Sequence, residues 1–370
     1  MARIAISLCG EGRGHAARIC TLVERLGGGN DFLIATTTEA LEFLRGRCGG
    51  RGDVRFIELP GIRFRYVGDR LDVSRTVLDG FRFRVLELPA LVERMVGELD
   101  HFAPDLAITD FEPVLPRAAS RLGIPLVSLD HQHFLVAYDV GVLPWHLRCT
   151  ARLMGIAVRL FVPQAAATVV SAFFRPPLVA GWEHATQIGP LLRRSLLAAV
   201  PHDGRHLVSY LRQHTSPAVL DALAATGVPV RVYGLGRRDP VSGVSFHDVD
   251  ERRFIADLAG CRGVVAAAGN QLIGEAIHLG KPLLVLPERA HTEQTINAHF
   301  LAAEGCGEFL PLERVDAAAV RGFLDRCERF AAPLATRQGG MDGLPAAARA
   351  IATAIAPDAG LRHEEIRTAA

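Results

Sequence analysis

Short unbroken apolar runs alternate along this chain with longer segments whose apolar positions recur every third or fourth residue. In the first half the runs at 3–9, 32–36, 54–59, 105–109 and 125–129 predict strands, and the segments at 14–26, 38–46, 85–102 and 113–121 predict helices between them. A Pro/Gly-rich passage from Arg175-Pro-Pro to Gly189-Pro190 interrupts the rhythm. It restarts with strands at 206–211, 229–233, 263–267 and 282–286 and helices near 216–226, 250–259, 270–279 and 294–304. Strand–helix alternation predicts parallel sheets covered on both faces. The expected architecture is therefore α/β: two doubly wound domains, 1–190 and 191–343, facing each other across a cleft. A last helix over 344–356 is expected to pack back on the first domain, with 357–370 a loose tail. Ligands of such folds bind beyond the carboxyl ends of the strands, so chemistry-bearing residues should follow the strands.

Composition narrows the class. With 41 basic against 40 acidic residues the net charge is +1, which excludes bulk attraction to nucleic acid. The seven cysteines are scattered, odd in number and without a C-x-x-C pair, which argues against a disulfide framework or a structural zinc site and fits a reducing compartment. The chain enters its first strand at Arg3 with no leader pattern, and its longest uncharged stretch, 160–174, falls short of the about 20 residues of a membrane span. A soluble cytoplasmic protein is the expectation.

The first strand runs into Gly10-Glu-Gly12-Arg-Gly14-His15, and a helix follows. Gly12 and Gly14 would let backbone N–H groups and a helix N-terminus approach an anionic ligand. A dinucleotide fingerprint would need glycine where His15 stands, and the second strand ends without an acidic ribose ligand, so NAD is not expected. The fourth strand ends in Asp110-Phe-Glu112-Pro113. In a doubly wound sheet strands one and four are neighbours, so Asp110 would lie beside His15 and orient it as a general base. The alternative for Asp110 is an N-cap on the next helix, and Glu112 is its weaker substitute.

The second half carries a denser block, 264–298. A buried strand stops at Gly269, and a helix starting at Asn270-Gln271 offers free N–H groups to a phosphate. Glu275, on the first turns of that helix, could accept bonds from ribose hydroxyls. Gly280 and Pro282 end the helix and open the next strand. The loop beyond it brings in Glu293-Gln294, a carboxylate and an amide suited to adjacent sugar hydroxyls.

The pattern G-x-x-x-x-x-E, G-K-P, P, then E-Q-x-x-N-A resembles the donor-binding signature of GT-B glycosyltransferases, which pair two Rossmann-like domains. The G-x-G-x-G-H loop followed by Arg18, Ile108-Thr-Asp-Phe-Glu-Pro113, Ser128-Leu-Asp-His-Gln-His133 and the crossing Gln187-Ile-Gly-Pro190 resemble the MurG-like branch. The resemblance implies an inverting, metal-independent transfer of a sugar from a nucleoside diphosphate, a UDP-sugar first, to a hydroxyl of a small or lipid-linked acceptor. His15 would be the base and Asp110 its partner. Gly269, Asn270 and Gln271 would hold the diphosphate, Glu275 the ribose, and Glu293 with Gln294 the sugar. The nucleotide sugar is a co-substrate, and no cofactor is implied. Two positions depart from the pattern: Ala267 stands where many relatives have a phosphate-contacting histidine, and Leu272 where threonine or serine is common.

Several weaker signals keep two readings. Asp248-Val-Asp250 is a D-x-D that could hold a metal, but its place before a helix favours N-capping. His131 and His133 could touch the acceptor and lack a third ligand for a metal. Arg63 and Arg65 open an arginine-rich, aromatic-interleaved stretch, 61–85, that suits either an anionic acceptor or a solvated face. Residues 145–161, with Arg148, Arg152 and Arg159, read as a basic amphipathic helix at a membrane surface or as a core helix with snorkelling arginines. A nucleotide-sugar epimerase and a non-catalytic nucleotide-sugar binder are the alternatives to transfer.

Overall fold

The computed structural model describes residues 1–355, apart from 11–12, 62–64, 69, 163–164 and 214. Each half is built on an all-parallel sheet. The first has the spatial order Val54–Glu58, Asp31–Thr36, Arg3–Leu8, Leu106–Asp110, Leu126–Asp130, Ala167–Ser171, Thr186–Ile188. The second runs Val244–His247, Val230–Tyr233, Leu207–Tyr210, Gly263–Ala266, Leu283–Val285, Gly307–Phe309. In both, the first strand of the half lies centrally and the order reverses beside it, which opens a crevice at its carboxyl end. Ile4 to Leu8 and all of Leu106–Asp110 are buried on both faces, as the unbroken apolar runs require.

Each expected strand is present with its ends shifted by a residue or so. The structure adds Ala167–Ser171, Thr186–Ile188, Val244–His247 and Gly307–Phe309, which are short and whose signals the neighbouring apolar or Gly/Pro-rich stretches conceal. The expected helix at 85–102 is regular only over Leu88–Phe102. It is preceded by the helix Val73–Arg82 and a π-helical turn, Phe83–Glu87. The 357–370 tail lies outside the described residues.

The chain passes twice between the halves, at Gly189-Pro190 and again at 341–343. The crossings touch backbone to backbone: Gly343 N–H donates to Pro190 O at 2.9 Å. A Cβ on Gly189 would stand 1.9 Å from Met341 O, and one on Gly343 2.0 Å from Gly189 O. After the second crossing Leu344–Ile355 packs Leu344, Ala347 and Ile351 into the same apolar cluster as Ile4, Ile6 and Ile19 of the first sheet. A second junction is aromatic. Phe174 of the first half stacks on Phe300 of the second, with centroids 3.9 Å apart and planes within 4°.

Among the described residues, no helix is long and apolar enough to cross a membrane. The helix Trp145–Phe161 has one buried and one exposed face. Leu147, Ala151, Gly155 and Val158 are buried, whereas Trp145, Leu153 and Ile156 are exposed beside Arg148, Arg152 and Arg159.

The crossings generate a prediction of opposite signs. Gly343→Ala forces carbonyl and methyl together and should cost about 1–3 kcal/mol of stability. Gly97→Ala, in the exposed middle of Leu88–Phe102 with nothing near its missing Cβ, should add about 0.5–1 kcal/mol. Urea unfolding midpoints check both.

Candidate active site

The parallel register of Arg3–Leu8 with Leu106–Asp110 sets Leu8 opposite Asp110. The helix Arg13–Leu26 rises from the end of the first strand, and His15 in its first turn reaches the end of the other. His15 Nδ1 lies 2.9 Å from Asp110 Oδ1, with the carboxylate fully buried and the ring 12% exposed. A carboxylate on Nδ1 fixes the tautomer that leaves Nε2 as the nitrogen able to take a proton. Phe111 adopts the left-handed region, φ 56°, at the turn that follows. That turn separates the two acids. Glu112 folds back to accept from Val114 N–H at 2.8 Å and Leu115 N–H at 3.0 Å, capping Val114–Leu122. Burial pushes the Glu112 carboxyl up, against the pull of those two N–H groups. The capping role considered for Asp110 is thus filled by Glu112, which is not its substitute beside His15.

Across the cleft, Gly269 precedes the helix Asn270–His278 without a side-chain cap, and open space stands where its Cβ would be. The two helix N-termini face each other: a Cβ on Gly14 would lie 3.9 Å from Gln271 Cβ. Converging N-termini offer unpaired N–H groups and positive dipole ends to an anion. The side chains of this turn serve the frame. Asn270 Nδ2 donates to Ser171 O at 3.0 Å, and its Oδ1 accepts from Phe173 N–H at 3.1 Å. Gln271 Nε2 donates to Leu191 O at 3.0 Å and to Glu275 Oε1 at 3.1 Å. Glu275 is buried and paired with Arg193 at 2.9 Å, so any ribose would share this carboxylate with a guanidinium.

Glu293 stands between the halves. It accepts from Gln132 Nε2 at 3.3 Å. Burial pushes its carboxyl up, but the His131, His291 and His15 rings and the Gln132 amide outweigh this and hold it below the ordinary carboxylate range. Gln294 is turned inward, its Oε1 accepting from Glu288 N–H at 2.9 Å.

His131 and His133 do not offer themselves to an acceptor. His131 is 1% exposed, with Nδ1 3.1 Å from Ser171 O and Nε2 3.1 Å from Asn297 Oδ1. Burial pushes it below the ordinary histidine range, though Glu293 pulls the other way and Arg18 adds to the push. His133 is 3% exposed and holds Asp130 Oδ2 at 2.7 Å through Nδ1. Burial alone would raise Asp130, but His133 and the Ser128 hydroxyl bring its carboxyl down to about 2. Arg65 is bound to Asp79 at 2.6 Å at the surface. Arg63 and Gly12 lie outside the described residues. Asp250 caps Glu251–Ala259 by accepting from Arg253 N–H, as the capping reading of the D-x-D required.

Three features escaped the sequence. The hairpin Tyr66–Val67 with Arg70–Leu71 crosses from the first half to the 288–291 loop, where Leu71 N–H donates to Arg289 O and Tyr66 OH to Glu288 Oε2 at 2.9 Å. Arg193 ties Glu275 to Glu251, which in turn pairs with Arg47 of the first half. Arg18 lies against Asp110, its Nε 3.5 Å from Oδ2. Arg18 itself is marked in the sequence, following the G-x-G-x-G-H loop three residues after His15 on the same helical face; only its contact with Asp110 was not foreseen.

Comparison with known proteins agrees with this architecture. The family model of glycosyl transferase family 1 matches residues 2–328. An uncharacterized glycosyltransferase of Methanosarcina mazei is 23% identical, over 83% of this chain and 85% of its own. The UDP-N-acetylglucosamine–N-acetylmuramyl-(pentapeptide) pyrophosphoryl-undecaprenol N-acetylglucosamine transferase of Rhodospirillum centenum is 30% identical, over 49% of this chain and 45% of its own. Among solved structures, spinosyn rhamnosyltransferase SpnG complexed with thymidine diphosphate superposes with a TM-score of 0.62 at 18% identity, over 94% of this chain and 99% of that one. The two facing parallel α/β sheets are a GT-B fold, and the chain belongs to glycosyl transferase family 1.

Proposed function

We propose that this glycosyltransferase moves a sugar from a nucleoside diphosphate to a hydroxyl acceptor with inversion at the anomeric carbon. The observation that carries the reading is the His15–Asp110 pair at 2.9 Å, set opposite the open N-terminus of Asn270–His278. In this reading residues 1–190 form the acceptor side, 191–343 the donor side, and 344–356 a helix returned to the first. The acceptor oxygen attacks the anomeric carbon as its proton passes to His15 Nε2. The bond to the β-phosphate oxygen breaks on the opposite face, and the electron pair leaves with the diphosphate. N–H groups of Asn270 and Gln271 meet that charge, a role for which the helix dipole suffices without a metal. Gly269, whose own N–H is given to Ala267 O at 2.8 Å, leaves room for the phosphate beside them. Glu275 holds the ribose, and Glu293 the sugar, to which Gln294 has only its amide nitrogen to add because its Oε1 is taken by Glu288 N–H. UDP and dTDP donors are the first to test, since one relative uses a UDP-sugar and one structural neighbour holds thymidine diphosphate.

A donor screen by thermal shift tests the assignment. One nucleotide sugar should raise the melting temperature by mass action, and Glu275→Ala should abolish the effect. With that donor and an acceptor, His15→Gln should keep binding and lose about 10²–10⁴-fold in kcat, while excess chelator leaves the rate unchanged. Equal turnover by His15→Gln, consumption of the donor with no acceptor present, or a strict Mg²⁺ or Mn²⁺ requirement would each overturn the corresponding part of the reading.

The exposed face of Trp145–Phe161 supports a peripheral contact with an anionic lipid surface, because Trp145, Leu153 and Ile156 are flanked by three exposed arginines and the helix carries no acidic residue. Vesicles containing phosphatidylglycerol should sediment the protein, and Leu153→Glu with Ile156→Glu should leave it in the supernatant. Equal sedimentation of both proteins contradicts this contact.

A further inference from the structure

Arg18 is 3% exposed, so a full positive charge is held beneath the cleft floor one helical turn from His15. Its Nε lies 3.5 Å from Asp110 Oδ2, the oxygen that His15 does not use. Among the described residues, neither Arg18 Nε and Nη1 nor Asp110 Oδ2 has a hydrogen-bond partner, so the contact between them is one of charge rather than of a made hydrogen bond. The helix is separately anchored by Ala16, Ile19 and Val23 in the apolar cluster. A buried guanidinium kept in such a state calls for an electrostatic reason.

The charges around His15 supply one. Arg18 comes from its own helix, Asp110 from the neighbouring strand, and Glu293 from the start of Thr292–Ala303. The loop after Leu126–Asp130 contributes His131, which burial and Arg18 push toward neutrality, and the uncharged Gln132. Asn270–His278 presents uncharged Gln271, while its Glu275 is offset by Arg193. Among the described side chains, the fixed charge around the ring with Arg18 in place is −1, from Asp110 and Glu293 against one guanidinium. Without it the sum is −2, and two carboxylates facing one imidazole favour the imidazolium. An imidazolium cannot accept the acceptor's proton.

We infer that Arg18 is a positioning residue that acts through Asp110. It offsets part of the Asp110 charge, so that Asp110 can orient the ring while Nε2 stays available as the base. The catalytic meaning rests on the reading of His15 as the base, whereas the electrostatic statement can be tested without any substrate.

The test is an NMR titration of the His15 ring in the full chain, its resonance assigned by its loss in His15→Gln, between about pH 5 and pH 9. In Arg18→Met the midpoint should rise by about one pH unit, and in Arg18→Lys, which keeps the charge, it should stay within about 0.3 unit of wild type. An unmoved midpoint in Arg18→Met overturns the inference. Where Arg18→Met fails to fold, Arg18→Lys decides alone, because a raised midpoint despite the retained charge also overturns it. A failed donor screen together with a shifted Arg18→Met titration would reject glycosyl transfer and leave the role of Arg18 intact. The reverse pair of results would do the opposite.

Discussion

The arrangement of this enzyme depends on a buried polar junction where the two sheets meet at their carboxyl ends. Asn270, at the start of the helix Asn270–His278, spends its amide on Ser171 O and Phe173 N–H of the other half. His131 touches the same Ser171 carbonyl and reaches Asn297, whose Nδ2 donates to Ala268 O at 3.0 Å. These groups are buried, so each lost partner would leave another unsatisfied, at a cost of about 1–3 kcal/mol. The junction therefore fixes the N-terminus of Asn270–His278 over the end of Arg3–Leu8. The stack of Phe174 on Phe300 and the glycine crossing at 189 and 343 add two further contacts between the halves.

On the other wall, position follows from the parallel register. Leu8 opposite Asp110 puts the acid within reach of the first helical turn after the first strand. The left-handed turn at Phe111 then hands capping to Glu112 and frees Asp110 for His15 and Arg18. A non-glycine residue in that region costs on the order of 1–2 kcal/mol, and here the strained turn divides the work between two adjacent acids. The floor of the cleft is thus a small ionic set in which one cation and two carboxylates govern one imidazole.

Much of this was legible in the chain because it follows from unbroken apolar runs and from residues placed at strand ends. His15, Asp110, Gly269, Glu275 and Glu293 all fall where the pattern puts them. What stayed hidden depends on long-range partners. Nothing local distinguishes Arg193 from Arg194, yet only Arg193 pairs with Glu275. His131 and His133 look alike as acceptor contacts, but their neighbours Ser171, Asn297 and Asp130 claim them for the frame. The edge strands Val244–His247 and Gly307–Phe309 are too short to carry a period, and the hairpin over the 288–291 loop is defined by its partner rather than by its own sequence.

We place the seat of the leaving diphosphate at the converging helix N-termini, with His15 opposite. A crystal structure of the protein with bound UDP or dTDP addresses it directly. The β-phosphate should lie within hydrogen-bond distance of the Asn270 or Gln271 backbone N–H, with the ribose against Glu275. A diphosphate bound away from that helix, or a ribose turned from Glu275, would contradict it.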